Sequence, residues 1–261
     1  MKSKLFTILT LISILFSCKK DDKPVDTPAQ DGKFLKKINY WTVATNKEVT
    51  IREVILDASG NLTGLKTYTN NAQGGVAGDV IWEFTSIEKD ASGRLAKISG
   101  QDKMQNKAIS YDFTYDASGN LTKSVLKQEG ADIRTRNYTY DSSNRLLTAE
   151  EIANNNSNKL VWVKTYTYAG TSESPATLKD DQRFYSTVKN YTLKFDAKKN
   201  PSQAAPKALF AMDMIDFYKN NLIESSDGST TTTFTVEYNS SGYAVSSTNG
   251  SGSGLKFVYG D

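Results

Sequence analysis

The chain has 261 residues, a formal net charge of +3, one cysteine and no histidine. Lacking histidine, it has no Ser-His-Asp or Cys-His catalysis and no imidazole metal ligand. A single cysteine excludes a disulfide within one chain.

Lys2 and Lys4 precede a short apolar run, Leu5 to Phe16, and Ser17 follows it. A basic start, a short apolar core and a small residue are the anatomy of a signal peptide, residues 1–17. The run is too short to anchor a helix across a bilayer. It ends in Leu15-Phe16-Ser17-Cys18. These four residues resemble the lipobox of bacterial lipoproteins, with Phe16 where a smaller residue is usual. The resemblance implies cleavage before Cys18 and lipid attachment there. Loss of Lys2 and Lys4 leaves the mature chain nearly neutral, with no basic field to recruit nucleic acid.

Residues 18–33 are polar, contain Pro24 and Pro28, and carry too little apolar surface to fold. They read as a tether with a span of roughly 20 Å. Cys18-Lys19-Lys20-Asp21-Asp22 resembles the charged segment behind the lipidated cysteine of Bacteroidota-type surface lipoproteins. That resemblance implies a lipid-anchored outer-membrane location.

Residues 34–261 read as one β domain. A turn sequence recurs at intervals of 25 to 33 residues: Asp57-Ala-Ser-Gly60-Asn61-Leu62, Asp90 to Leu95, Asp116 to Leu121 and Asp141 to Leu146. Worn copies stand at Tyr168–Leu178, Asp196–Pro201 and Asn239–Tyr243. Repetition at a fixed period marks one supersecondary unit used many times. Within each unit Asp accepts hydrogen bonds from the backbone ahead of it, and Gly supplies a positive φ that closes a hairpin with a bulge. Asn144 in place of Gly agrees, since Asn tolerates that conformation best after Gly. At the Asp196 copy, Lys199 fits badly and Pro201 breaks the pairing, so a longer excursion is expected there.

The flanks alternate with period two. Ile109, Tyr111, Phe113 and Tyr115 share one face; Ser110, Asp112 and Thr114 share the other. The same pattern runs through Arg136-Tyr138-Tyr140, Trp162-Tyr166-Tyr168, Tyr191-Leu193-Phe195 and Phe234-Val236-Tyr238. The expectation is all-β: an antiparallel hairpin meander of roughly 14–17 strands, curled or closed into a barrel because so wide a twisted sheet does not stay flat. Tyr-rich apolar faces interrupted by Arg136 and Lys164 argue for aromatics inside and against a lipid-facing wall. One helix is expected, over Pro206 to Lys219.

The unit Tyr-Asp-x-x-Gly-Asn/Arg-Leu resembles the YD repeat of RHS-type shell proteins, which implies hairpin sheets that curl around a space. The order Phe195-Asp196, Asn200-Pro201, Leu209-Phe210, Asn220-Asn221-Leu222-Ile223 and Tyr238 to Tyr243 resembles a Bacteroidota-type lipoprotein family of unknown function with a porin-like fold. Ala244 stands where relatives carry Pro. That likeness implies an envelope β domain and no catalytic residue.

No metal or cofactor motif is present. Glu150-Glu151 and Asp180-Asp181 are neighbours on strands, so each pair is split between opposite faces. The remaining candidates are Trp41, Trp82 and Trp162, as core residues or as a platform for a lipid, a glycan or another apolar ligand. The reading is a non-enzymatic, membrane-anchored lipoprotein that binds such a ligand. The alternative is a structural or assembly component with an envelope protein partner. Function is expected where the repeat breaks, around Tyr68–Val80 and Pro201–Ser229, or in the space the hairpins enclose.

Overall fold

The computed structural model describes residues 34–42, 47–70, 78–154, 159–205, 207–212 and 217–260. The signal-peptide and tether readings, and Cys18, lie outside these residues. Sixteen strands follow in chain order: β1 (Phe34–Thr42), β2 (Lys47–Leu56), β3 (Leu62–Tyr68), β4 (Val80–Lys89), β5 (Leu95–Asp102), β6 (Lys107–Tyr115), β7 (Leu121–Gln128) and β8 (Ala131–Tyr140). The second half is β9 (Leu146–Ala153), β10 (Lys159–Thr167), β11 (Thr177–Gln182), β12 (Thr187–Phe195), β13 (Leu222–Ser226), β14 (Thr231–Tyr238), β15 (Ala244–Asn249) and β16 (Gly254–Gly260). Each pairs antiparallel with its chain neighbours, and β1 pairs with β16, so the sheet closes into a barrel. Closure removes the free sheet edges that would otherwise recruit other strands.

The repeated turns gather on one rim and form as the residue pattern expects. Asp57 Oδ1 accepts from the Ser59 and Asn61 amides at 2.8 and 2.9 Å. Asp90 and Asp141 make the same pairs, each at 2.9 Å. Gly93 and Gly119 have φ of 77° and 82°, and Asn144 takes the same role at 61°. The register slips at Thr114/Tyr115 and Thr139/Tyr140, which is the bulge such turns require.

Consecutive turns are tied together by tyrosine. The Tyr115 hydroxyl donates to the Leu95 carbonyl at 2.9 Å, Tyr140 to Leu121 at 2.8 Å and Tyr168 to Leu146 at 2.9 Å. Burial pushes the Tyr115 and Tyr168 phenols up to about 12, so they remain donors across the physiological range. Each such bond contributes about 1 kcal/mol.

The faces segregate as alternation demands. Leu65, Phe84, Ile98, Tyr111 and Leu126 are almost fully buried and point inward. The outer face carries ion pairs, among them Lys37–Glu53, Lys66–Glu83, Glu83–Lys103 and Lys127–Asp112.

The expected helix over Pro206 to Lys219 is not what forms. Within that stretch Lys207–Met212 forms a 3-10 turn, and another 3-10 turn, Pro201–Ala204, precedes it. Among the described residues Ala208, Leu209, Ala211 and Met212 are all buried, and they present no polar stripe for a surface helix to expose. The segment folds back on itself: Asn200 caps the first turn, and the Ser202 hydroxyl donates to the Tyr218 carbonyl at 2.7 Å. It enters the barrel and plugs it.

Adding a Cβ at Gly93 meets nothing within 4 Å, so its cost there is conformational alone. Gly93→Ala should lower stability by about 1–2 kcal/mol, and Gly93→Asn by less, in chemical denaturation. The turn carboxylates Asp57, Asp90, Asp116 and Asp141 are held below the usual aspartate range, chiefly by hydrogen bonds from the residue four ahead. Because their folded-state values are depressed, their stabilisation is present above the ordinary value of 3.8 and is lost as pH falls through the folded-state values. Melting temperature should therefore hold down to about pH 5 and fall steadily below it; Asp116→Asn should soften that acid limb.

Candidate functional site

Sixteen strands enclose more space than wall side chains fill, since about eight already suffice to hold a packed interior. On the β3–β7 side the wall packs on itself: Tyr111 stacks on Phe113 with centroids 6.0 Å apart, and Phe84 meets Tyr111 at 6.1 Å. On the other side the plug fills the gap. Phe210 meets Tyr138 of β8 at 5.1 Å, Phe217 meets Tyr166 of β10 at 4.8 Å and Tyr218 meets Phe195 of β12 at 4.9 Å. All three pairs are edge-to-face, a preferred aromatic geometry.

One buried cation fixes the plug. Arg136 is 6% exposed and donates to Glu151 at 2.7 Å, and its other arm donates to the Ala211 carbonyl at 2.8 Å. Its guanidinium lies 5.5 Å from the Trp162 ring centroid. Glu151 sits opposite Arg136 and Trp162 in register, so all three share the inner row.

Two spaces remain. An inner cavity of about 300 Å³ lies between Ile38, Leu255 and Phe257 at the closing seam and Trp162, Lys164 and Tyr166 across the lumen. A second space, a cleft of about 690 Å³, opens at the turn rim between Asn120, Tyr140, Asn144 and Tyr168 on the wall and Gln203 and Phe217 on the plug. Leu146, Phe210, Phe217 and Tyr218 line both, so the two adjoin.

The three tryptophans are not brought together. Trp162 lines the inner cavity, with Lys164 Nζ 5.2 Å from its ring centroid. Trp82 packs in the wall against Phe84 and Tyr111 and donates to Asp102 Oδ2 at 3.3 Å. Trp41 falls on the outer face, out of phase with Ile38, beneath Lys256 at 5.7 Å. The adjacent carboxylates are split between faces. Glu151 points inward, while Glu150 accepts from Asn137 outside. Asp181 pairs with Arg183, whereas Asp180 shares the row of Lys164. Among the described residues no three of His, Cys, Asp and Glu gather to hold a metal ion.

Sequence reasoning pointed to Pro201–Ser229, which contains Gln203, and to the enclosed space, but did not single out Tyr140, Asn144 or Gln203 as lining residues. A signal was present at the position after the turn glycine, which reads Asn61, Arg94, Asn120, Arg145.

Replacing Arg136 by Met leaves Glu151 buried with its nearest cation, Arg134, at 3.5 Å. Unfolding titrations should show a loss of about 3–5 kcal/mol, larger than for Lys127→Met in an exposed pair.

No family model matches the sequence, and no curated protein does either. Solved structures do. A porin-like protein from Bacteroides uniformis superposes with a TM-score of 0.55 at 14% identity, over 87% of this chain and 96% of that one. A porin-like protein from Bacteroides vulgatus gives 0.37 at 8% identity, over 87% and 98%. A Photorhabdus luminescens Tc holotoxin pore gives 0.34 at 14% identity, over 76% of this chain and 12% of that one. The chain thus shares its antiparallel barrel fold with the Bacteroides uniformis porin-like protein.

Proposed function

We propose that this barrel is a lipid-anchored binding protein of the cell envelope that admits a small, partly apolar ligand between its wall and its plug. The observation that carries the reading is the unfilled interior: a cavity lined by Trp162, Tyr138, Tyr166 and Phe257, joined to a cleft at the turn rim. Apolar walls with a few inward polar groups are the usual lining of small-ligand sites. Three cations line that cavity, Arg52, Arg136 and Lys164, and Arg136 is committed to Glu151 and the plug.

The outer face argues against a wall that faces lipid. Rows such as Lys66–Glu83–Lys103 would have to leave water, and Lys or Arg on the lipid face of a barrel costs about 2–4 kcal/mol at the midplane, with acidic side chains costing less. A lipid on Cys18 supplies attachment without a spanning wall. Phe34 enters beside Gly60 on the turn rim, so a short tether from Cys18 holds the cleft on the membrane-proximal side.

A second reading, docking to an envelope protein, draws on the opposite rim. Phe184 and Tyr185 are 59% and 71% exposed at the tip of the β11–β12 hairpin, edge-to-face at 5.0 Å.

Tryptophan fluorescence separates the readings, because the three rings report on three places. Titration with envelope phospholipids, fatty acids and oligosaccharides should change the emission of the full chain. The response should vanish in Trp162→Phe and survive in Trp41→Phe and Trp82→Phe. A flat response across the panel would overturn the binding reading. Protein crosslinks through Tyr185 in that case would favour docking.

A further inference from the structure

The rim is a ladder in which the residue after each positive-φ turn residue, Gly or Asn144, meets the residue that closes the strand before the next turn. Arg94 lies over the Tyr115 ring with its guanidinium 4.6 Å from the centroid, and donates to Asp90 at 2.7 Å. Arg145 lies over Tyr168 at the same 4.6 Å and donates to Asp141 at 2.7 Å. Asn61, one turn earlier, accepts from Lys89 at 3.4 Å. One rung differs. Asn120 stands where the arginines stand, and its short amide turns aside to Asp116 at 3.1 Å and to the Asn144 oxygen at 2.8 Å. Tyr140 therefore carries no cation on its face among the described residues, and it lines the 690 Å³ cleft beside Tyr168, which Arg145 covers.

We propose that the uncapped Tyr140 ring is the stacking platform of a saccharide subsite in this cleft. A pyranose has a face of C–H groups and a rim of hydroxyls. The electron-rich face of a phenol attracts the first, and groups that both donate and accept satisfy the second. The cleft supplies both. The Tyr140 hydroxyl is already committed to the Leu121 carbonyl, which fixes the ring as a platform. Around it stand the exposed Asn144, whose oxygen accepts from Asn120; Gln203, whose amide donates to the Lys219 carbonyl; and the hydroxyl of Ser143, brought in from wall and plug.

Charge in the cleft is balanced. Arg145 is held by Asp141, and Lys219 pairs with Glu173 on the lip, so a neutral ligand is favoured over an anion. An acyl chain would fit worse, since it offers no partner to the hydrogen-bonding positions that Asn144 and Gln203 have left after Asn144 accepts from Asn120 and Gln203 donates to the Lys219 carbonyl. The volume lies within the roughly 300–1,000 Å³ of small-ligand sites. This subsite deepens the binding reading above and rests on it for the interior being a ligand space, while using the cleft and not the Trp162 cavity.

The test uses saturation-transfer NMR on the full chain. Methyl glycosides of glucose, galactose, mannose and N-acetylglucosamine form one arm, and a glycolipid in micelles forms the other. At least one arm should give ring-proton saturation, and which arm does so tells a free sugar from a lipid headgroup. Asn120→Arg should rebuild the Arg/Tyr rung, keep or raise the melting temperature, and weaken binding at least tenfold. Tyr140→Leu should weaken it similarly, and Tyr140→Phe should retain it. Absence of saturation in both arms overturns the subsite, as does undiminished binding in Asn120→Arg or Tyr140→Leu. Adenosine binding in place of every sugar also overturns it. The Trp162 emission response is read on the same variants. If that response is absent while glycosides bind at Tyr140, the inner-cavity reading fails and the subsite stands.

Discussion

The interior of a sixteen-strand barrel is the constraint on which the other features depend. Once β1 pairs with β16 the edges are satisfied, but the lumen is wider than one layer of inward side chains can fill. A wide lumen can hold water, collapse, or be plugged. This chain combines the last two. Its β3–β7 side packs on itself through Phe84, Tyr111 and Phe113, and its β8–β12 side packs on Phe210, Phe217 and Tyr218. The space left over borders the plug: the inner cavity lies between it, the closing seam and the β8–β11 wall, and the cleft opens beside it at the turn rim.

Arg136 makes that arrangement specific. Apolar contacts alone would hold the plug in several registers, since they have little direction. A buried guanidinium that must satisfy Glu151 on one side and the Ala211 carbonyl on the other selects one. The same residue lies over Trp162, so the strut that seats the plug also shapes the wall of the inner cavity. At the rim, the Asp turns and tyrosine hydroxyls hold neighbouring hairpins at fixed spacing, and variation in one position, Arg or Asn, decides which rings are covered.

Much of the wall was legible in order of residues. The turn aspartates, the positive-φ glycines and the period-two aromatics specify local geometry, and local geometry needs no knowledge of distant contacts. Asn144 illustrates this: its place in the repeat implies the left-handed backbone it adopts. The plug was legible only as a break. Pro201 and the ill-fitting Lys199 mark where pairing stops, but Leu209 to Met212 show an apolar spacing that suits a helix as well as a buried irregular turn. The three tryptophans illustrate the same limit. Alternation places Trp41 and Trp162 on strand faces, yet which face is the inside depends on register slips such as those at Ile38/Asn39 and Leu160/Trp162.

By itself the sequence determined the repeat unit, the turn chemistry, the antiparallel pairing of neighbours and the segregation of aromatic from charged faces. These follow from backbone sterics, hydrogen bonds two to four residues long and side-chain alternation. Only the tertiary structure decided that β1 meets β16, that residues 201–219 turn inward, and that Arg136, Glu151 and Ala211 meet in the lumen. Those contacts join positions up to 75 residues apart inside the barrel and some 220 apart at the seam. No local pattern encodes them; they form because closing the sheet leaves a volume that the chain must line, fill or open to a ligand.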